Sequence, residues 1–352
     1  MAVAIGDFVS EVKEEVSFNE LRGRTIAVDA YNTIYQFLSI IRGPDGSPLT
    51  DSKGRVTSHL SGLFYRTINI LEYEVTPVFV FDGIPPALKQ RTLEARMNQR
   101  KTALEEWNKA KAEGQIEEAR NFAMKSTKIN KDIVASAKEL LECMGVPYIQ
   151  APSEGEAQAA KLVSDGLAYA AASQDYDSFL FGSDIVIRNL TVTGRRKLPR
   201  KNVYVDVNIE RTCLKKLLAS MGLDLKQLIW VGMLIGTDFN EGIKGVGPKT
   251  ALRIVRERKS LKEIVSYVQE KYGTGFGADP EDVEKVFTEP EVKSMSSGEF
   301  ERILKANRPN KEKLIRFMCD EHEFSTERID KYSDKLTQVK GKAGQKGINS
   351  WM

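Results

Sequence analysis

The chain has 352 residues, enough for two to three ordinary domains or for one large α/β core with insertions. Its composition, 41% hydrophobic and 29% charged, excludes a disordered polymer, and no apolar run approaches the ~20 residues of a membrane helix. Three scattered cysteines (Cys143, Cys213, Cys319) and two histidines argue against a disulfide framework or a zinc site. Asp7, Glu11, Lys13, Glu14 and Glu15 rule out a signal peptide in the first twenty residues, so an intracellular, cytoplasmic location is expected.

Along the chain, short apolar, β-branched runs alternate with segments of helical period, which predicts an α/β fold with a parallel-rich sheet. Four such runs end in acids: 25–28 in Asp29, 78–81 in Asp82, 147–149 in Glu154 and Glu156, and 168–172 in Asp175 and Asp177. Sites in open α/β sheets form beyond the carboxyl ends of the strands. The stretch 89–131 lacks strand character and predicts one or two exposed helices inserted into the sheet pattern, with eleven Lys/Arg against six Glu. On the first of them Lys89, Arg96 and Arg100, spaced by seven and four, share a face. Residues 185–205 carry Arg188, Arg195, Arg196, Lys197, Arg200 and Lys201 without one acid, and their alternation predicts a hairpin turning at Gly194. The apolar stretch 225–235 predicts a helix ending near Gly236 and Asp238. Lys244-Gly245-Val246-Gly247-Pro248-Lys249-Thr250 reads as a glycine-rich turn that opens a basic helix, with backbone N–H groups suited to phosphate. Gly, Pro and Ser across 273–298 predict a loop. After Tyr332 the apolar period lapses into a Lys/Gly-rich tail.

Singly, each of the seven acids Asp29, Asp82, Glu154, Glu156, Asp175, Asp177 and Asp238 has an ordinary explanation. Ser153-x-x-Glu156 fits a capping box, Asp82-Gly83 a turn, and Asp175 and Asp177 turn positions. Gathered, they repel one another and need a countercharge. Hard divalent cations supply it. Oxygen ligands favour Mg²⁺, and a metal pair roughly 3.5–4 Å apart is a recurrent device for cutting phosphodiesters.

The segments Ile26-Ala27-Val28-Asp29-Ala30, Val80-Phe81-Asp82-Gly83-Ile84-Pro85-Pro86, Pro152-Ser153-Glu154-Gly155-Glu156-Ala157, Ser173-Gln174-Asp175-Tyr176-Asp177 and Gly236-Thr237-Asp238-Phe239 resemble the signatures of archaeal flap endonucleases, collinearly from about residue 5 onward. The likeness extends through 57–66 and 321–325. It implies a mixed, parallel-rich sheet flanked by helices, a helical arch over a site for two Mg²⁺ (or Mn²⁺), and cleavage of 5′ flaps, with 5′–3′ exonuclease activity, in Okazaki-fragment maturation and base-excision repair. By that resemblance Asp29, Asp82, Glu154 and Glu156 centre on one metal. Asp175, Asp177 and Asp238 hold the other, with Glu156 shared. Lys89 and Arg96 clamp the scissile phosphate, with Arg100 beside them, and Tyr35 stacks on a base. Arg42, Leu49, Thr57 and Arg66 receive the 3′ end of the other strand. Gly236, Gly245, Gly247 and Lys249 belong to a helix–two-turn–helix that grips the duplex of a flap, nick or gap, with K⁺ at its turn. Gln345, Ile348, Trp351 and Met352 match a motif that docks on a ring-shaped sliding clamp, and the protein is expected to be a monomer alone. The implied divisions are a nuclease region 1–100 with the start of the arch, the rest of the arch 101–131, an internal nuclease region 132–258, a helical region 259–331 packing on the core, and a flexible tail 332–352. Ala2 stands where the family usually has glycine, and Met352 where a second bulky residue is common. A junction-resolving or repair sibling generally carries longer insertions, and a binding-only module gains nothing from clustered negative charge beside polyanionic DNA.

Overall fold

The computed structural model describes residues 3–43, 45–192, 194–197, 204–306 and 308–349. A seven-stranded sheet organises it, in the order β1 (Glu14–Val16), β9 (Ile209–Cys213), β6 (Ile185–Arg188), β5 (Ala170–Ala172), β2 (Thr25–Asp29), β3 (Thr76–Phe81), β4 (Tyr148–Gln150). The five strands from β6 to β4 run parallel, while β9 pairs antiparallel with both β6 and β1, so the sheet is mixed and parallel-rich as expected.

Both faces of the central strands are buried, and their residues alternate between two apolar clusters with the period of two that a pleat imposes. Ile26, Val28, Phe79 and Phe81 face helices that include Ala30–Ile40, Ser58–Glu72 and Lys131–Cys143. Ala27, Val78 and Val80 face Gly155–Ser164 and Ser297–Lys305. A third cluster lies among the helices Leu214–Met221, Leu225–Ile235, Pro248–Glu257, Leu261–Tyr272 and Pro280–Thr288. The inserted segment forms two helices, Gln90–Ala112 and Ile116–Lys125, packed on each other. Their buried residues are four alanines, Ala103, Ala110, Ala119 and Ala123, and none of these belongs to the three clusters. Polar links join this arch to the body: Arg91 donates to the Gly277 carbonyl at 2.7 Å, Lys111 pairs with Asp45 at 3.1 Å, and Arg42 donates to Thr127.

Three expectations are corrected. Gly194 opens a strand, β7 (Gly194–Lys197), rather than turning a hairpin; β7 pairs with β8 (Tyr204–Val207), and β6 joins the main sheet instead. Arg200 and Lys201 lie outside the described residues. The stretch 273–298 contains the helix Pro280–Thr288, started by the Asp279 N-cap with proline at its first position and held by buried Val283 and Phe287. Finally, the tail does not lose its structure at Tyr332. The helix Thr326–Asn349 continues because Leu336 and Val339 keep packing on the core and Lys340 donates to the Gly145 carbonyl at 3.0 Å.

Close approach of Ala30–Ile40 and Ser58–Glu72 rests on Gly62, where an added Cβ would stand 2.2 Å from Phe37 Cγ. Gly62→Ala should therefore lower stability by about 1–3 kcal/mol through overpacking. Urea denaturation should show a lower midpoint at unchanged slope. An unmoved midpoint would mean that the two helices pack differently.

Candidate active site

The four acid-bearing runs are the parallel strands β2, β3, β4 and β5, and the acids emerge at their shared carboxyl edge. Asp29 ends β2 and caps the helix Ala30–Ile40, its Oδ1 accepting from the Asn32 amide at 3.0 Å. Asp82 follows β3 and accepts the Gly155 amide at 2.8 Å. A Cβ on Gly155 would lie 2.6 Å from Asp82 Oδ1, so glycine there lets the start of the next helix reach the β3 acid. Glu154 occupies the N-cap of Gly155–Ser164 without bonding its own helix. The Ser153–Glu156 capping box is not formed; Glu156 Oε1 instead accepts from Ser173 Oγ at 3.2 Å. Asp177 opens the short helix Asp177–Leu180 and accepts the Val3 amide at 2.7 Å. Asp238 sits in a turn fixed by Thr237 Oγ1 donating to Asn240 Oδ1 at 2.7 Å.

All seven acids line one cavity of about 1210 Å³, together with Lys89, Arg96, Arg100 and Tyr35. Lys89 Nζ lies 2.5 Å from Glu154 and 3.4 Å from Asp238, and Arg96 lies 2.5 Å from Asp238. Burial alone would lower the Lys89 ammonium; Glu154 and Asp238 outweigh it and push its pKa up. Burial also opposes the charge of Asp238, yet Lys89 and Arg96 help to hold that carboxyl below its usual range. The acids away from the two cations behave oppositely. Burial, then repulsion from Asp82, pushes Asp29 up to about 8. Burial, with Asp238 and Asp175 adding, pushes Asp177 up to about 7 against the Val3 amide. Burial and the neighbouring Glu154 push Asp82 up to about 6, and burial raises Glu156 and Asp175 as well.

Among the described residues no three acids are drawn together as a finished metal cage, and Lys89 and Arg96 pair with Glu154 and Asp238. The donor set nonetheless fits hard divalent cations. It is all oxygen, it is buried, and its raised pKa values report an unmet need for positive charge.

Asn32 and Ser173 tie the two groups of acids together; Ser173 opens one of the recognised segments, whereas no local motif in the sequence marks Asn32. Asn32 Nδ2 donates to Asp175 Oδ2 at 3.0 Å while its backbone amide serves Asp29. Ser173 Oγ lies 3.3 Å from Asp29 Oδ2 and 3.2 Å from Glu156 Oε1, and accepts the Asp175 amide at 3.2 Å. Other expected contact residues lie outside this cavity. Leu49 and Thr57 are neighbours, the Thr57 amide donating to the Leu49 carbonyl at 2.8 Å, and Arg66 is exposed on Ser58–Glu72. Arg42 is half-buried and bound to Thr127 and the Gly46 carbonyl. Gly236 (φ +110) terminates the helix Leu225–Ile235, while Gly245 (φ +86) and Gly247 lie in the exposed turn before Pro248–Glu257 and exposed Lys249 in the first turn of that helix. Gln345 and Ile348 fall on the helix Thr326–Asn349; Ala2, Trp351 and Met352 lie outside the described residues.

Family models match the chain as an XPG N-terminal domain over residues 1–103 and an XPG I-region over residues 145–238. The sheet, its strand-end acids and these two matches define an XPG-type nuclease. A Flap endonuclease 1 from Methanosarcina acetivorans is 47% identical over 351 residues, covering 100% of both chains. The solved flap endonuclease-1 of Methanococcus jannaschii is 36% identical with a TM-score of 0.72, covering 96% of this chain and 98% of that one. The chain belongs to the flap endonuclease family. The fold alone is shared with the catalytic core of Rad2 in complex with DNA substrate, which is 24% identical with a TM-score of 0.70 and covers 96% of this chain and 100% of that one.

The raised carboxyls bind protons more tightly folded than unfolded. Folding therefore takes up protons between the ordinary carboxylate range and about pH 8, and stability falls as pH rises through that window. In EDTA, the Tm should drop from pH 5 to pH 8 in scanning calorimetry. Asp29→Asn should flatten that drop, and a wild-type Tm that climbed over the same range would contradict the crowding of ionised acids.

Proposed function

We propose that the chain is a divalent-cation-dependent 5′ flap endonuclease with 5′–3′ exonuclease activity, acting where single-stranded and duplex DNA meet at flaps, nicks and gaps. One observation carries the reading: acids from five separate segments share a cavity with the cationic side chains of the arch. Asp29, Asp82, Glu154 and Glu156 would hold one cation, and Asp175, Asp177 and Asp238 a second, with Glu156 between. When bound, Mg²⁺ or Mn²⁺ supplies the charge that activates the attacking water and steadies the leaving oxygen.

The chain's own residues do the rest. Lys89 and Arg96 turn their donors from Glu154 and Asp238 to the non-bridging oxygens of the scissile phosphate, whose developing charge they stabilise. Arg100 extends that cationic face along the same helix. Tyr35, 37% exposed at the cavity, offers a ring for a base to stack on. Arg42, Leu49, Thr57 and Arg66 take the 3′ end of the opposite strand. The turn of Gly245, Gly247 and Lys249 holds duplex phosphates, with K⁺ as its companion ion. A role in lagging-strand maturation and base-excision repair follows from that substrate. The three free cysteines suit work inside the cell.

Asp175→Asn or Asp238→Asn keeps volume and removes a ligand, so cleavage of a labelled double-flap DNA in Mg²⁺ should vanish while flap binding persists. Wild-type protein should lose the same activity in EDTA. Near-normal turnover by both variants at saturating Mg²⁺ would falsify the assignment of these acids.

The tail residues Gln345, Ile348, Trp351 and Met352 dock on a sliding clamp, with Trp351 as the anchor, and the tether raises the enzyme's local concentration at DNA junctions. Deleting residues 345–352 should leave basal flap cleavage intact and abolish stimulation by clamp. Calorimetry of the tail peptide with clamp is the direct measurement, and no heat at tens of micromolar would sink the idea.

A further inference from the structure

Arg188 heads the acid-free basic run, yet its side chain is turned toward the acid-bearing loop 173–177. It stands at the end of β6, in register with Glu210 of β9. Its Nε donates to the Gln174 carbonyl at 3.1 Å, and its Nη1 reaches the Tyr176 hydroxyl at 2.5 Å and Glu210 Oε2 at 3.3 Å. The guanidinium also lies over the Tyr176 ring, 4.6 Å from its centre. Behind it Glu210 is held by Lys13 at 2.6 Å, so the fork is itself oriented. Gln174 immediately precedes Asp175, and its peptide is pinned on both sides, its carbonyl by Arg188 and its amide by Asn32 Oδ1 at 3.3 Å. Tyr176, between Asp175 and Asp177, is gripped by hydroxyl and ring together.

We propose that Arg188 is a positioning residue for the cleavage reaction, holding the 173–177 loop so that Asp175 and Asp177 face the cavity; this rests on the nuclease reading above. A planar fork that serves a carbonyl, a hydroxyl, a carboxylate and an aromatic face has no equivalent in lysine, whose ammonium is a point charge. Residues that orient ligating carboxylates typically change cation affinity or activity by roughly 10–100-fold when removed.

The test uses the full chain with Arg188→Met, Arg188→Lys and Tyr176→Phe. Single-turnover cleavage of a double-flap DNA at fixed Mg²⁺ should slow by roughly 10–100-fold in Arg188→Met. Its half-saturating Mg²⁺ should rise, while flap affinity in Ca²⁺ stays within about twofold of wild type. Arg188→Lys should fail to rescue, and Tyr176→Phe should fall between. Without DNA, Mg²⁺ should raise the Tm of Arg188→Met less than that of wild type. Should Arg188→Met lose its cooperative melt, Tyr176→Phe carries the same comparison. Weakened flap affinity with a salt slope smaller by about one, at unchanged rate and Mg²⁺ demand, would make Arg188 a phosphate contact and overturn the proposal. A lowered Tm with unchanged rate, Mg²⁺ demand and Mg²⁺-induced shift would overturn it as a purely structural residue. If wild type itself cleaves no flap, the nuclease reading fails, and the Mg²⁺-induced Tm shifts still decide the role of Arg188.

Discussion

Repulsion among carboxylates at one edge of the sheet is the constraint around which the structure is arranged. Two like charges 4 Å apart at a protein surface oppose each other by about 4 kcal/mol, and burial removes the water that would dilute this. Seven acids therefore persist together only because each is separately answered. Glu154 and Asp238 share Lys89, Asp238 also takes Arg96, and Asp82 and Asp177 accept backbone amides. Asp29 accepts the Asn32 amide, Glu156 the Ser173 hydroxyl and Asp175 the Asn32 side chain, and these three, like Asp82 and Asp177, still carry raised pKa values. The glycine at 155 and the caps that start the surrounding helices are the steric side of the same arrangement, since they bring separate acids within reach of one cavity.

That balance makes Lys89 and Arg96 serve two ends. Their donors neutralise acids in the protein alone, and a phosphodiester offers the same donors an alternative anion. On the reading proposed above, a cation held by these acids would take over partners of Lys89 and Arg96 and would so favour phosphate binding electrostatically.

The sheet was readable in the sequence because its central strands are buried on both faces, so 26–28 and 78–81 stand out as unbroken apolar runs, each followed by an acid. The acids were readable for the same reason. Their supports were not. Asn32 acts on Asp175, more than a hundred positions away, and Ser173 on Glu156 from another segment; the sequence around them does not tell which acid each serves. Where local signals competed with distant partners, the distant partners prevailed. Ser153 and Glu156 have capping-box spacing, but Glu156 is drawn to Ser173. Arg188 and Arg42 look like free surface cations, but both are half-buried and hydrogen-bonded within the protein. Composition misled at 280–288, where Val283 and Phe287 outweigh the surrounding Gly, Pro and Ser.

The fully buried residues of the two arch helices are four alanines, none of them in the three apolar clusters, and polar or ionic contacts link the arch to the body. Alanine contributes little apolar area, so this hairpin sits at the low end of the molecule's local stability. Its amide hydrogens will exchange through openings that leave the sheet's hydrogen bonds closed, and salt will speed them by screening the exposed Lys111–Asp45 pair. The molecule is thus built of two regions with different melting habits. A light hairpin can come apart and re-form many times while the strands beneath it keep their register and the acids their places.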